Sequence, residues 1–295
     1  MCLQFVKIGL PISEGSASSS SEESLSSKYE IALKRESLEE FSNEVHRTID
    51  HTLSQSSCDG KNFLGDLILH DEDYVNTHVL PHYISEPELQ KLLSHYFSNT
   101  QNAFELCALL LKCTHRARMN YRTIQDVIGL MPTSANFDFQ SEECRRINSE
   151  FMLFVEQENP FGQASDFEVM CDSLEKLHQL LELRRENKFD SVRDAEKQRA
   201  QLDAAARWIY VLKNHLRTTR MLVARLYDEV EHSKTLMRIY HARENDVYPL
   251  QQVGRLLEKN DSKFGQRLNE IEEQGCLCLH NINRARELLL HQIHH

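Results

Sequence analysis

The sequence predicts an all-α protein, an elongated antiparallel helical bundle with coiled-coil-like long helices, and three observations carry that expectation. Gly and Pro number nine and six in 295 residues, about 5% together where an average chain has roughly 12%. That is too few for the turns of a sheet sandwich, barrel or propeller. Apolar residues recur in alternating steps of three and four over long stretches, the period of a helix face. Finally, Ser191 to about Arg243 contains neither Gly nor Pro, so one helix of roughly 75 Å fits there at 1.5 Å per residue.

Taken in order, residues 1–26 read as a disordered tail: an apolar stretch in Met1 to Leu10 is closed by Pro11, and from Ser13 to Ser27 the composition is Ser, Glu and Gly with almost no large apolar residue to offset ordering entropy. Residues 27–295 read as a single helical-bundle domain, with irregular connections near 54–84 and 129–166. Ser27-Lys28-Tyr29-Glu30 has the form of a capping box, and it opens a helix to about Leu53 with Leu38, Phe41, Val45 and Ile49 on one stripe. Gly60, Gly65 and Pro81 interrupt the connection that follows, which has room for one short helix. A second box, Ser85-Glu86-Pro87-Glu88, starts the clearest helix. Its stripe runs Leu89, Leu93, Tyr96, Thr100, Ala103, Cys107, Leu110, Thr114, Ala117, Tyr121, Ile124 and Ile128, and Gly129 and Pro132 stop it.

A shorter helix from Ser141 to Glu156 carries Ile147, Phe151 and Phe154, and Asn159-Pro160-Phe161-Gly162 breaks the chain after it. Phe167, Met170, Leu174, Leu177, Leu181 and Leu183 predict the next helix, ending near Asn187. Ala205, Ile209, Leu212, Leu216, Thr219, Val223, Leu226 and Val230 form the seam of the longest one. Breaks are expected near Asp190 and from Asn245 to Pro249. The last helix has Leu250, Val253, Leu257, Phe264, Leu268, Ile271, Cys278, Ile282, Ala285 and Leu289, with Gly275 where a neighbour comes close.

Formal charge is -11 and the pI near 5.8, which argues against nucleic acid as a partner. Eight Cys with no CxxC pair predict reduced thiols in an intracellular, cytoplasmic setting, with a peripheral place at a membrane as the variant. No run of 18 uncharged apolar residues predicts a membrane span, and no secretory signal or lipidation box is read. There is no Gly-rich phosphate loop, HExxH, GxSxG or DxDxDG, so no enzyme, catalytic residue, cofactor or metal site is expected. His70, His78 and His82 beside Asp71, Glu72 and Asp73 offer metal-ligand chemistry, but irregular spacing weighs toward a solvated loop. Cys276 and Cys278 point about 200° apart on a helix and cannot chelate one ion together; Cys278 fits the core stripe better. Arg184, Arg185, Lys188, Arg193, Lys197 and Arg199 are interleaved with acids and read as an ion-paired helix face. Trp208, Tyr210 and Tyr227 read as helix packing.

Several segments together resemble a known family: Phe104-Glu105-Leu106-Cys107, Glu158-Asn159-Pro160-Phe161, Leu202-Asp203-Ala204-Ala205-Ala206, Leu222 to His232 and Asn281-Ile282-Asn283-Arg284-Ala285-Arg286. In this order they resemble the plant integrin-like family of uncharacterised helical proteins, over about Ser27 to Ile293. The resemblance implies no catalytic residues and no adhesion role. Some members are associated with membranes and carry an apolar span before the last helix. Here His241, Arg243, Glu244, Asn245 and Asp246 stand in that place.

These observations predict a non-enzymatic scaffold or adaptor in plant cells, soluble or peripherally membrane-associated, that contacts protein partners, or a second copy, through its helices. The alternative is a membrane-binding or membrane-remodelling bundle, and a metal-dependent protein comes third. Arg225, Asp228, Glu229, Arg284 and Arg286 are the candidate partner surface. Leu93, Cys107, Leu212, Leu226, Leu268 and Ile282 are expected in the core.

Overall fold

The computed structural model describes residues 38–51, 67–68, 72–129, 142–186, 192–242 and 247–294. The expectations for the tail 1–26, the box at Ser27, and for His70 and Asp71 lie outside them. The chain divides into Met1–Glu40 and Phe41–His295; of the first unit residues 38–40 are described, as helix, and all that follows concerns the second.

Among the described residues there is no strand. Helix α1 (residues 38–51) is followed by α2, one run made of Glu72–Tyr74, a π-helical turn Val75–Val79, and Leu80–Tyr83. Then come α3 (Pro87–Gly129), α4 (Glu142–Glu156), α5 (Ala164–Glu186), α6 (Val192–His241) and α7 (Val247–His294). For α3 to α7 the predicted starts and stops hold within a few residues. The cap of α3 is Glu86, whose carbonyl accepts from Gln90 N at 3.0 Å, one residue beyond the predicted Ser85. Pro249 does not end the connection before α7; it sits in the first turn, where no intrahelical partner exists for an N–H.

Cross-helix pairs set the directions. Ser173 on α5 reaches Asn99 on α3 at 2.6 Å, and Arg184, eleven residues further along α5, pairs with Glu86 at the other end, so α3 and α5 are antiparallel. Lys213 pairs with Glu175 at 2.7 Å and Arg220 with Glu168 at 3.1 Å, which makes α5 and α6 antiparallel. His241 meets Asn148 at 3.0 Å, so α4 continues along α6 in the direction of α5. Glu229–Arg267 and Gln201–Gln292 contacts turn α7 antiparallel to α6. Helix α3, the α4–α5 pair, α6 and α7 thus form an up-down-up-down bundle whose second member is broken in two. From Phe41 onward α1 lies on α3 and α7, with Ser42 Oγ 3.6 Å from Cys276 Sγ and His115 Nδ1 3.6 Å from Asp50.

The six residues expected in the core are buried. So is the predicted seam of α6, and so are the residues named on the α3 stripe except Ile128, which is half-buried. Helix α3 buries more than a heptad seam, adding Leu92, Phe97, Phe104, Ala108, Leu111, Cys113 and Val127, because it touches α7, α5 and α4 at once. On α5 the structure replaces Leu183, which is 61% exposed, with Cys171 as a core residue. A Cβ at Gly275 would stand 2.7 Å from Leu111 Cδ2, so the glycine lets α7 close on α3.

Candidate functional site

The break between α4 and α5 is built by Asn159 and Pro160, a turn-forming pair that cannot continue a helix. Asn159 Nδ2 donates to the Tyr227 carbonyl at 3.1 Å and to Glu231 Oε1 at 3.0 Å, while its Oδ1 accepts from Phe161 N at 3.1 Å. One side chain therefore closes the turn and fastens it to α6. Phe161 is fully buried below it. Lys234, 4% exposed, donates to the Gln157 carbonyl and lies 3.7 Å from Glu231. A buried ammonium is costly unless wrapped in this way. Beside it is a cleft of about 360 Å³, open to solvent and lined by Tyr121, Phe154, Pro160, Val230, Lys234 and Phe264. It sets the Lys234 ammonium beside the aromatic side chains of Tyr121, Phe154 and Phe264.

The outer face of α6 is the second feature. Tyr210, Met221 and Ile239 are 51%, 60% and 49% exposed, and steps of 11 and 18 residues place them within about 20° of one another around the helix. Arg225 and Asp228 stand between them, both exposed.

The five predicted partner residues are not brought together. Arg225 and Asp228 stay on the α6 face. Glu229 pairs with Arg267 across to α7. Arg284, half-buried on α7, lies on the order of 20 Å along the bundle from Arg225, counted at 1.5 Å per residue from the Gln201–Gln292 and Glu229–Arg267 contacts. Arg286 is a correction: it is fully buried and cannot belong to an exposed surface. Its Nη1 donates to the Phe97 carbonyl at 2.9 Å and to Thr100 Oγ1 at 2.8 Å, and its guanidinium sits 5.1 Å from the Phe97 ring.

Arg184 and Arg185 make ion pairs, but of the interleaved acids only Glu182 is a partner, to Arg185; Arg184 reaches Glu86 and Glu88 at the start of α3, and Arg185 also reaches Asp203 on α6. Tyr210, though half exposed, meets the His178 ring of α5 at 5.8 Å and lies under Lys213, Tyr227 is exposed, and Trp208 rests half-buried on the core. His78 bonds Thr77 at 2.7 Å and stacks on Tyr74, and His82 meets the edge of Tyr83. Among the described residues no group of three His, Cys, Asp or Glu is placed to hold a metal. Cys276 is buried like Cys278; both are free thiols, one turned to Ser42 on α1 and the other hydrogen-bonded to the Cys107 thiol on α3. Burial pushes the Cys276 thiol up to about 11 and raises Cys113 and Cys171, while the bond to Cys278 and then burial raise Cys107. These are poor nucleophiles.

The sequence reading missed Lys234 and the role of Asn159, although Asn-Pro after a helix end was the available sign. It also missed the outer stripe of α6, which is visible as apolar residues displaced from the buried seam.

No protein-family model and no solved structure matches the chain. A 98-residue segment is 40% identical to a UPF0496 protein of Arabidopsis thaliana, covering 33% of this chain and 25% of that protein. A putative UPF0496 protein 2 of rice, Oryza sativa subsp. japonica, is 39% identical over 94 residues, 32% of this chain and 23% of the relative. Its relatives are plant UPF0496 proteins. A further UPF0496 protein of Arabidopsis thaliana is 32% identical over 93 residues, 26% of its length. The UPF0496 matches span about a quarter of these relatives and a third of this chain, a shorter reach than the expected Ser27 to Ile293. Among the described residues no helix is long and apolar enough to cross a membrane.

Proposed function

We propose that the chain is a non-enzymatic scaffold or adaptor of plant cells that holds protein partners on the outer face of α6. The observation that carries this reading is the alignment of Tyr210, Met221 and Ile239, each about half exposed or more, with Arg225 and Asp228 between them. Large apolar side chains flanked by charges of both signs suit a protein surface, where apolar anchors give affinity and charges give register. The integrin-like resemblance adds no adhesion role to this proposal. A membrane-binding face would be expected to present a basic polar side, and exposed Arg207, Arg217 and Arg225 flank the stripe beside Asp228, so vesicle binding is the alternative that the test must separate from a protein partner.

The test compares partners captured by the full chain and by a Met221→Asp/Ile239→Asp variant in plant extract, with Val169→Asp, 69% exposed on α5, as control. A partner set retained by the control and lost by the double variant is expected. An unchanged set overturns the reading, as does flotation of the wild-type protein with anionic vesicles that the double variant abolishes.

A further inference from the structure

The outward side of α5 carries a set of exposed apolar side chains separate from the stripe on α6. Val169, Leu180 and Leu183 are 69%, 50% and 61% exposed. Steps of 11 and 3 residues place them within about 60° of one another around the helix. Val169 and Leu183 expose a larger fraction than any other large apolar side chain among the described residues. Such residues scattered singly are ordinary, but gathered on one arc they mark a contact surface.

The polar contacts of α5 show which way this arc faces. Ser173 and Arg184 turn to α3, through Asn99 and Glu86, while Glu168 and Glu175 turn to α6, through Arg220 and Lys213. Phe167, Leu174 and Leu181 fill the core between those two neighbours. The remaining arc looks away from both helices, and Asp172 and Lys176 stand on it, both exposed.

This arc is complementary to itself when reversed. Laid parallel on a second copy, it would set Asp172 against Asp172 and Lys176 against Lys176. Laid antiparallel about a two-fold axis beside residues 174–175, it sets Asp172 of each copy within one residue of the level of the partner's Lys176. The same axis brings Val169 level with the partner's Leu180, and the partner's Leu183, one turn away, closes its other side. Each contact then occurs twice, as a two-fold pairing requires. From Ser165 to Leu183 the arc is about 27 Å long, and a helix is about 10 Å across. A face of that size falls short of the roughly 800 Å² per partner of a standard stable complex, so the pairing is a weak one.

We propose that two copies of the chain pair antiparallel through the outward faces of α5, with Val169 seated between the partner's Leu180 and Leu183 and Asp172 facing the partner's Lys176. The pairing uses no residue of the α6 stripe and stands independently of the partner face assigned there.

The experiment measures the mass of the full chain by sedimentation equilibrium from about 5 to about 500 µM, the range of a weak interface. A rise toward twice the chain mass with concentration is expected. Lys176→Asp and Asp172→Lys should each weaken association at least about tenfold, because either variant sets like charges together twice. Their combination, Asp172→Lys/Lys176→Asp, should return it to within about threefold of the wild type. Leu180→Asp should abolish association, and Met221→Asp on α6 should leave it unchanged. All these side chains are exposed, so the variants keep the fold. A mass that stays monomeric over the whole range overturns the proposal. Association that survives Leu180→Asp overturns it too, as does a combined variant that fails to recover what each single charge reversal has lost.

Discussion

Where α3 meets α7, polar groups are buried and enclosed: Arg286 against Phe97 and Thr100, Cys107 against Cys278, and Gly275 beneath Leu111. Where α5 meets α6, an apolar core is edged by ion pairs that solvent still reaches, Glu168 with Arg220 and Asp203 with Arg185. Both seams join neighbouring antiparallel helices; in the second the buried Lys213 pairs with Glu175, a carboxylate that solvent reaches, whereas the first encloses Arg286 and its partners completely. There, a lost partner cannot be replaced by water. Apart from Lys213, the second should yield little to a single deletion among its ion pairs.

The sharpest way to break this contrast is Arg286→Ala, which empties a large, fully buried side chain and should cost about 3 kcal/mol in denaturant unfolding. Arg286→Met, keeping volume and discarding the charge, should cost clearly less. Equal losses would show that charge rather than filling matters. Next comes Gly275→Ala. Better helix propensity favours it by about 1 kcal/mol, yet the new Cβ meets Leu111 and overpacking costs roughly 1 to 3 kcal/mol. A net loss near 1 kcal/mol is expected, and a double-mutant cycle with Leu111→Ala should show coupling.

A smaller effect is set by pH. Burial, and then the Arg284 charge, hold His280 below the usual histidine range, and burial does the same to His215 against the bond to Gln274. Both rings bind a proton more readily in the unfolded chain. Their contribution is full above the unfolded value near 6.5 and is lost as pH falls below it. His280 also faces the Phe41 ring at 5.7 Å. Melting temperature measured from pH 7.5 to 5 should fall less steeply in His280→Gln. Last, Arg220→Met on the α5–α6 edge should change stability by less than about 0.5 kcal/mol, and a loss above 1 kcal/mol would erase the distinction between the seams.

Much of this fold is legible in the sequence because a helix writes its buried face at a fixed period. Leu212, Leu216, Val223 and Leu226 needed only their spacing to be placed in the core. Leu183 does not belong with them: two residues past the buried Leu181 it stands about 200° around the helix, and only its apolar character suggested the core, where the structure leaves it 61% exposed. Arg286 failed for a related reason: its charge suggests surface, and only the carbonyl and hydroxyl of Phe97 and Thr100, nearly two hundred residues away, make its burial tolerable.

The break at Asn159 bears on a geometric problem of long rods. Relative to a seven-residue repeat, a straight helix rotates its apolar stripe by about 20° per heptad. Over residues 142–186, some six heptads, the accumulated rotation would reach about 130°. One rigid partner could stay in register with α6 only by winding around it. Two shorter rods joined by a fixed turn can each be set to the local angle, so the interruption works as a phase reset, with Asn159 as the pin that sets it.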